Sequence, residues 1–352
     1  MAVERIVVAG GGVVGASIAY HLALKGADDV VLAEAATIAS GASGKALGGV
    51  RQQFSSEPEV RLARESVTFF RSLGVDLFQP VGYLFLATTE AGLEELERRR
   101  ELQAALGVPV EPVDPSFVEG LAVDDVLGAV FCAEDGTADP TAITQELVRR
   151  AAAGGVEVLE HTDALELEFD TLVLATGAAS AALGATLGVE LPVRPLVRQL
   201  VETAAVPGLP PELPLTIEAE TGFHFRRRGD ALVLAMPETP PRWGREETVD
   251  QTLVDDWLRR VARRYPRAAG VPVARAWAGL YDMTPDAHPI VGAVADGVYA
   301  ACGFSGHGFM QSPAVGRIVA DELLGEDPGF DLAPYRIERF ATGAVFPETA
   351  IL

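Results

Sequence analysis

Short apolar runs alternate with amphipathic stretches at the start of the chain. Ile6–Val8 is such a run and is typical of a strand buried on both faces of a parallel sheet. Val13–Lys25 has a helical composition and ends before Gly26, a residue that suits a helix C terminus. Val30–Glu34 indicates a second buried strand. Together these segments predict one β-α-β unit.

The rest of the chain continues this pattern, with one stretch of a different kind. Small residues at 37–49 predict a loop, and Ser56 can cap the helix that follows. Short apolar runs at 191–236, with a turn expected at Gly229-Asp230, indicate an antiparallel sheet. The other expected helices cover Glu90–Leu106, Asp139–Ala153, Thr248–Arg264 and Gly308–Leu324, and the other expected strands cover Tyr83–Thr88, Gly128–Ala133, Val156–Leu159, Thr171–Ala175, Val273–Asp282 and Val298–Ala301.

These elements predict an α/β protein with two domains. A Rossmann-type nucleotide-binding domain with a parallel sheet is expected to join an α+β domain with an antiparallel sheet. The first domain is discontinuous in this interpretation and takes residues 1–80, 139–190 and 285–330. The second domain takes residues 81–138 and 191–284, and residues 331–352 form a C-terminal tail.

Charge and composition argue against several classes of partner. The chain has 352 residues and a net charge of −22, so nucleic acid and anionic membranes are not expected partners. The sequence has no run of about eighteen uncharged apolar residues, which predicts no membrane span. Cys132 and Cys302 are too few for a disulfide framework, and because the first strand begins so early we expect no targeting segment. We therefore expect a cytoplasmic protein, and we predict no metal site.

The glycines after the first strand carry the first chemical signal. Gly10, Gly12 and Gly15 fit the GxGxxG pattern, which allows a tight turn, close approach to a pyrophosphate and close packing of helix on strand. Glu34 ends the second strand, where a carboxylate accepts hydrogen bonds from a ribose diol. A solvated acid is the alternative for Glu34. The motif predicts dinucleotide binding but does not separate NAD from FAD.

Three further segments decide between NAD and FAD, because they resemble segments of one protein family and follow one another in that family's order. They are residues 40–54 (SGASGKALGGVRQQF), residues 172–177 (LVLATG) and residues 301–309 (ACGFSGHGF). Together with the glycine turn they resemble the D-amino-acid oxidase, glycine oxidase and sarcosine oxidase superfamily. The likeness is greatest to the flavin subunits of heterotetrameric sarcosine oxidase and dye-linked L-proline dehydrogenase. It runs from residue 5 to about residue 324 and implies FAD as the cofactor.

The resemblance also implies which residues contact FAD. Backbone N–H groups at Gly306–Phe309, where a helix begins, would stabilise negative charge that develops on the ring. The small residues of the 40–54 loop would let the backbone pass close to a flat ring system. The implied cofactor-binding residues are Gly10, Gly12, Val13, Val14, Gly15, Glu34, Ala35, Ser40, Ser43, Gly44, Lys45, Gly48, Gly49, Val50, Ala164, Ala175, Thr176, Gly177, Gly279, Gly303, Gly306, His307, Gly308, Phe309 and Met310.

Arg51, Tyr281, His307 and His224 are the candidate catalytic residues. By resemblance Arg51 lies near the substrate, where a cation would attract a carboxylate. A purely structural arginine is the alternative. His307 can donate a hydrogen bond or serve only as a spacer. His224 alternates with phenylalanines on a strand of the antiparallel sheet, and the alternation leaves open which side chains face the site.

Two positions depart from well-known members of this superfamily. Gly279 occupies the position at which monomeric sarcosine oxidase has the cysteine that carries its flavin, so the resemblance implies non-covalent FAD. Tyr281 stands where glycine oxidase and D-amino-acid oxidase have a carboxylate-binding arginine, and Met310 stands where monomeric sarcosine oxidase has a carboxylate-binding lysine. Tyr281 can donate one hydrogen bond or form an aromatic wall.

The implied reaction is hydride transfer to FAD from the carbon next to a nitrogen. The expected substrate is a small amino acid or N-alkyl amino acid of the sarcosine, glycine or proline type, and the electrons pass to O2 or to an electron carrier. One alternative is a flavin-carrying subunit of a multi-subunit dehydrogenase, which would need partner subunits. A nicotinamide-dependent dehydrogenase is another alternative. By resemblance, residues 164–171 stand where relatives carry a longer hairpin, which implies a more open adenine side.

Overall fold

The computed structural model describes residues 4–348. Its strands are β1 (Ile6–Ala9), β2 (Val30–Ala33), β3 (Gly49–Val50), β4 (Phe78–Gln79), β5 (Tyr83–Ala87), β6 (Val110–Val113), β7 (Gly128–Cys132), β8 (Gly136–Ala138), β9 (Glu157–Leu159), β10 (Thr171–Leu174), β11 (Arg194–Thr203), β12 (Leu215–Glu218), β13 (His224–Arg228), β14 (Ala231–Ala235), β15 (Arg242–Trp243), β16 (Val273–Met283), β17 (Ile290–Ala295) and β18 (Val298–Cys302). Its helices are α1 (Val13–Leu24), α2 (Ala42–Lys45), α3 (Glu57–Ser72), α4 (Glu90–Ala105), α5 (Pro140–Ala153), α6 (Ser180–Thr186), α7 (Gln251–Arg264), α8 (Gly308–Leu323) and α9 (Glu338–Thr342).

The first sheet has six strands in the order β17-β18-β10-β1-β2-β9. All its pairs are parallel except β17 with β18. The four residues of β1 and the four of β2 are all buried, as the apolar runs predict for a sheet covered on both faces. Helix α1 packs against α5 and α8 on one face. It lies so close to α8 that a side chain at Gly316 would overlap Ser17.

The second sheet has nine strands and is mostly antiparallel. Its path is β15-β11-β14-β13-β12-β5-β7-β6, and the long strand β16 pairs with β11. A separate small sheet joins β3, β8 and β4. Trp257, Val254 and Val261 of the amphipathic helix α7 are buried in a core with Phe223 and Phe225 of this second sheet.

The α/β class predicted from the sequence is confirmed by this arrangement. The six-stranded sheet draws its strands from residues 6–33, 157–174 and 290–302, and the nine-stranded sheet from residues 83–132 and 194–283. The division into two domains and its boundaries stay a prediction. Within residues 4–348, no helix is long and apolar enough to cross a bilayer.

Three local predictions are wrong in detail, each for a physical reason. The expected loop at 37–49 contains the single turn α2 and begins β3, which pairs with β8. Helix α7 begins at Gln251 rather than Thr248, because the Asp250 side chain accepts a 2.8 Å hydrogen bond from the Thr252 N–H. Ser56 does stand at the N-cap of α3, but its side chain makes no capping hydrogen bond there.

Candidate functional site

A cavity of about 820 Å³ extends from the first sheet to the second. One end lies at the carboxyl ends of β1, β2 and β10, represented by Ala9, Ala33 and Ala175. The other end is covered by β11, β13 and β16. Ligands of open α/β sheets bind at the carboxyl ends of the strands, and this volume is at the upper end of the range for small-molecule pockets.

The glycine turn at the first end is a cradle built by close backbone contacts. Gly10 has φ +111°, and a Cβ on it would overlap the carbonyl oxygen of Ala175. A Cβ on Gly15 would overlap the carbonyl oxygen of Gly10. Gly12 differs, because an added Cβ would meet only Ser43 Oγ, at 3.3 Å. The space beside Gly12 therefore belongs to the cavity, as a bound pyrophosphate requires.

Glu34 and Ser43 fix the backbone around this cradle. The Glu34 carboxylate accepts hydrogen bonds from the N–H groups of Gly11, at 2.7 Å, and Ala36, at 2.8 Å. Ser43 Oγ accepts a 2.9 Å bond from the N–H of Val13, the first residue of α1. Glu34 also lines the cavity, where its further lone pairs remain suited to a ribose diol.

Two short segments line the cavity on the side expected for the adenine. Residues 162–165 form one wall, and Asp163 caps a turn there by accepting a 3.0 Å bond from the Leu165 N–H. Residues of α6 and the preceding turn form the other wall, including Ala178 and Leu183. The shortened stretch at 164–171 therefore still presents Ala164 to the cavity.

The opposite end of the cavity is shaped by the turn that leads into α8. Gly306 has φ +93°, and a Cβ on it would overlap the Tyr281 ring. The Asp282 carboxylate holds this turn by accepting a 2.8 Å bond from the Gly303 N–H, and burial raises the pKa of Asp282 to about 6. Gly306–Met310 line the cavity, and first-turn N–H groups have no partner within their helix. The turn is thus a site for developing negative charge.

The structure decides which side chains of β13 face the cavity. Phe225 and Phe223, the residue just before the strand, lie in the core under α7, while His224 lines the cavity. The His224 Nδ1 lies 2.8 Å from the Gly222 carbonyl oxygen, so Nδ1 carries the proton and Nε2 keeps a lone pair. Burial, aided by the charges of Arg51 and Arg198, lowers the pKa of His224 to about 4.

His307 and Arg51 are also held in a buried environment. Burial and the charge of Arg51 lower the pKa of His307 well below its usual value, so this side chain is neutral. Arg51 donates from Nη1 to the Gln53 carbonyl oxygen, and its guanidinium lies 4.1 Å from the centroid of the Phe54 ring. Burial lowers the pKa of Arg51 from its ordinary value. Arg51 therefore lines the cavity as a cation fixed by its neighbours.

Arg198 is a cavity residue that the sequence analysis missed. It lies on β11 opposite Gly279 of β16 and lines the cavity beside Leu200. Its guanidinium carbon lies 5.6 Å from the centroid of the Tyr281 ring. From Leu196 onward β11 reads LVRQLVET, in which apolar and polar residues come in pairs and do not alternate, so the sequence pattern does not assign Arg198 to a face.

Most of the predicted site residues meet at this cavity. The residues that line it are Arg51, Tyr281, His224, His307, Gly10, Gly12, Val13, Val14, Glu34, Ala35, Ser40, Ser43, Lys45, Gly48, Gly49, Ala164, Ala175, Thr176, Gly177, Gly279, Gly306, Gly308, Phe309 and Met310. Gly15, Gly44, Val50 and Gly303 lie behind the wall. Gly15 and Gly44 permit backbone contacts, Val50 packs in a core, and Gly303 supports the turn before α8. Residues 4–348 contain no cluster of three or more metal-ligating side chains.

Comparison with known proteins identifies the family of this fold and cavity. The model of the family described as DAO, FAD dependent oxidoreductase, matches residues 5–322. The chain belongs to the DAO family. The glycine oxidase of Geobacillus kaustophilus is 28% identical to it, with 95% of this chain and 96% of that protein covered. The superfamily predicted from the sequence segments, and with it FAD as the cofactor of an oxidoreductase, is confirmed.

Two further relatives differ in how much of their own length this DAO-family chain covers. The solved structure of L-proline dehydrogenase from P. horikoshii superposes with a TM-score of 0.90 and 27% identity, covering 97% of this chain and 98% of that chain. The 4-methylaminobutanoate oxidase (formaldehyde-forming) of Paenarthrobacter nicotinovorans is 28% identical over 96% of this chain. The chain spans only 46% of the length of that oxidase.

Proposed function

We propose that this FAD-dependent oxidoreductase oxidises a small amino acid or an N-alkyl amino acid at the carbon next to nitrogen. One observation carries the proposal, which is that a single cavity connects two kinds of site. It extends from the glycine turn at Gly10–Gly15 to the polar side chains at the opposite end. The relatives support the same substrate range, since their names specify glycine, 4-methylaminobutanoate and L-proline.

The cofactor-binding residues fit FAD at both ends of the cavity. Gly12 leaves room for a pyrophosphate, Glu34 suits a ribose, and the start of α8 suits the electron-rich ring. When bound, FAD supplies the hydride acceptor. The substrate carbon gives up a hydride, its nitrogen gives up a proton, and the resulting imine takes up water to yield a carbonyl compound and an amine or ammonia.

The polar side chains at this end of the cavity would orient the substrate and would accept or donate protons. His224 is neutral and keeps its Nε2 lone pair, so it can accept a hydrogen bond or a proton from the substrate nitrogen. Tyr281 forms a wall of the same space, and burial raises the pKa of its hydroxyl, which stays protonated and can donate. Arg51 adds a fixed positive charge that favours an anionic substrate.

An anaerobic bleaching screen tests this function. The purified protein is mixed with sarcosine, glycine, proline and both enantiomers of common amino acids, and the loss of the yellow flavin absorbance is followed. We expect bleaching by at least one amino acid and slower bleaching by amines that lack the carboxylate. A protein bleached only by amines without a carboxylate contradicts the proposed substrate class, and a colourless protein contradicts the assigned cofactor.

The electron acceptor and the assembly form a second part of the proposal. We propose a cytoplasmic enzyme that passes electrons to O2 or to an electron carrier. The resemblance of residues 40–54 to flavin subunits of multi-subunit dehydrogenases supports the carrier and a partner subunit. Two measurements on the isolated chain distinguish O2 from an electron carrier as the acceptor: oxygen consumption and the turnover of an artificial dye. Dye turnover without oxygen consumption favours the dehydrogenase subunit.

A further inference from the structure

Arg198 has an unusual combination of burial, charge and missing partners. Its Nε and Nη1 are buried, and neither has a hydrogen-bond partner among the described residues. Buried donors are normally paired, and arginine is a permanent cation in proteins. We infer that Arg198 binds the carboxylate of the substrate and that it is the residue which selects amino acids over simple amines. This inference rests on the proposed function.

The position of Arg198 in the sheet gives its side chain access to the cavity. Its cross-strand neighbour is Gly279, against which the Lys45 side chain packs. Arg198 and Leu200 are two residues apart on β11, so they share the face that lines the cavity. Arg198 therefore borders the cavity, and its guanidinium carbon lies 5.6 Å from the centroid of the Tyr281 ring, which borders the same cavity.

The other cavity-lining arginines are engaged by the protein itself. Arg51 donates to the Gln53 carbonyl oxygen, and Arg245 donates to the Ala178 carbonyl oxygen at 2.7 Å. Within residues 4–348, Nε and Nη1 of Arg198 have no such acceptor. Arg198 is therefore the cavity arginine whose donors are best placed to receive an anion from outside the protein.

The acidic residues of this end of the cavity are also engaged. Glu247 pairs with Lys45, and Asp282 accepts the Gly303 N–H. Neither carboxylate accepts a hydrogen bond from Nε or Nη1 of Arg198 in the described part of the chain. A ligand can therefore supply the anionic group for these two donors. A carboxylate matches a guanidinium in charge and in planar geometry.

The positions of Arg198 and His224 would also orient the amine end of the substrate. Arg198 and His224 face the cavity from β11 and β13, and the charge of Arg198 is close enough to lower the pKa of His224. A carboxylate at Arg198 and an amine at His224 would place both ends of an amino acid under one sheet. The substrate class is thus a compound in which a carboxylate and an amine are joined by a short carbon chain.

Binding of acetate and acetamide to the FAD-loaded protein tests the inference. The two probes have nearly the same size and differ in charge, and both are followed by the change they cause in flavin absorbance. Arg198→Ala should raise the Kd for acetate by roughly ten- to a hundredfold, the range for one charge-assisted contact, and leave acetamide binding unchanged. Arg198→Lys should recover part of the loss, because a point charge cannot replace the planar group.

Arg194→Ala is the matched control. Arg194 is an exposed arginine on the same strand, it lies 4.4 Å from the Trp243 ring centroid, and it does not line the cavity. Its loss should leave acetate binding at the parental value. If Arg198→Ala does not fold, Arg198→Lys carries the test, with a raised Kd for acetate and an unchanged one for acetamide as the supporting result.

Two results would overturn the inference. Parental acetate binding by the Arg198 variants would show that the carboxylate is held elsewhere. Equal losses for acetate and acetamide would assign Arg198 a packing role. Failure of the proposed function would look different. In that case no amino acid bleaches the parent protein, whereas the acetate titration still decides whether Arg198 receives a carboxylate.

Discussion

Replacing Gly12 with valine should remove FAD from this protein while leaving the fold intact. Gly12 has φ −76° and ψ 176°, a conformation open to any residue. The new Cβ would meet only Ser43 Oγ, at 3.3 Å, and the two methyl groups of valine would enter the cavity. Those methyl groups would occupy the space assigned to the pyrophosphate. The substitution therefore separates binding of the cofactor from folding.

The expected magnitudes differ for the two properties. Disturbing the Ser43–Val13 hydrogen bond should cost about 0.5–1.5 kcal/mol of the free energy of unfolding. Loss of FAD should cost more, because a ligand present at about a hundred times its Kd stabilises a protein by roughly 2.7 kcal/mol. Gly15→Ala provides the contrast. Its Cβ would overlap the Gly10 carbonyl oxygen, so this smaller substitution should damage the fold itself.

The assay measures FAD per chain and the melting temperature with and without added FAD. We expect Gly12→Val to be purified colourless, with a melting temperature that does not respond to FAD and near that of the FAD-free parent. Full FAD content in this variant would refute the pyrophosphate assignment. A Gly12→Val protein that does not fold would refute the argument that the space beside Gly12 is reserved for a ligand.

Two further predictions concern the cofactor link and a buried histidine. FAD should be released by acid precipitation, because neither Cys132 nor Cys302 lines the cavity and burial raises the pKa of both thiols; colour retained in the pellet would contradict this. For His224, the folded pKa of about 4 lies below the unfolded value of about 6.5, so its stability contribution is present above pH 6.5 and is lost as pH falls toward 4. Urea unfolding at pH 7.5 and at pH 5 tests this. Between these pH values the free energy of unfolding of the parent should fall by about 2 kcal/mol more than that of His224→Gln. Equal pH dependence in the two proteins would refute the buried neutral state.

The nucleotide end of the site could be predicted from the sequence because it is local. The glycine turn and Glu34 lie within one β-α-β unit, and a tight turn allows few alternatives to glycine. The exact role of each glycine could not be predicted in the same way. Gly12 faces the cavity, whereas Gly15 and Gly44 permit contacts between protein backbones. Space for a ligand and close contact between backbones both require glycine, so the sequence does not distinguish these two roles.

The substrate end was harder because distant segments build it. Strands β11 and β16 pair across about eighty residues, with Leu196 opposite Tyr281. The alternation on β13 correctly predicted two faces but left open which one turns toward the site. The position of the phenylalanine core under α7 decides this, and it leaves His224 for the cavity. The tertiary packing therefore supplied information that the pattern alone did not contain.

If Arg198 has the role proposed above, substrate recognition depends on sheet register. Arg198 reaches the cavity because its side chain lies on the same face of β11 as Leu200, which also lines the cavity. A slip of one residue would turn Val197 toward the cavity and Arg198 toward the opposite face. Val197 is buried in the present register. Such a slip would therefore move this apolar side chain to the polar end of the cavity and would move a cation into an apolar core. The energy that fixes the register of the sheet therefore also fixes the positive charge at the proposed substrate site.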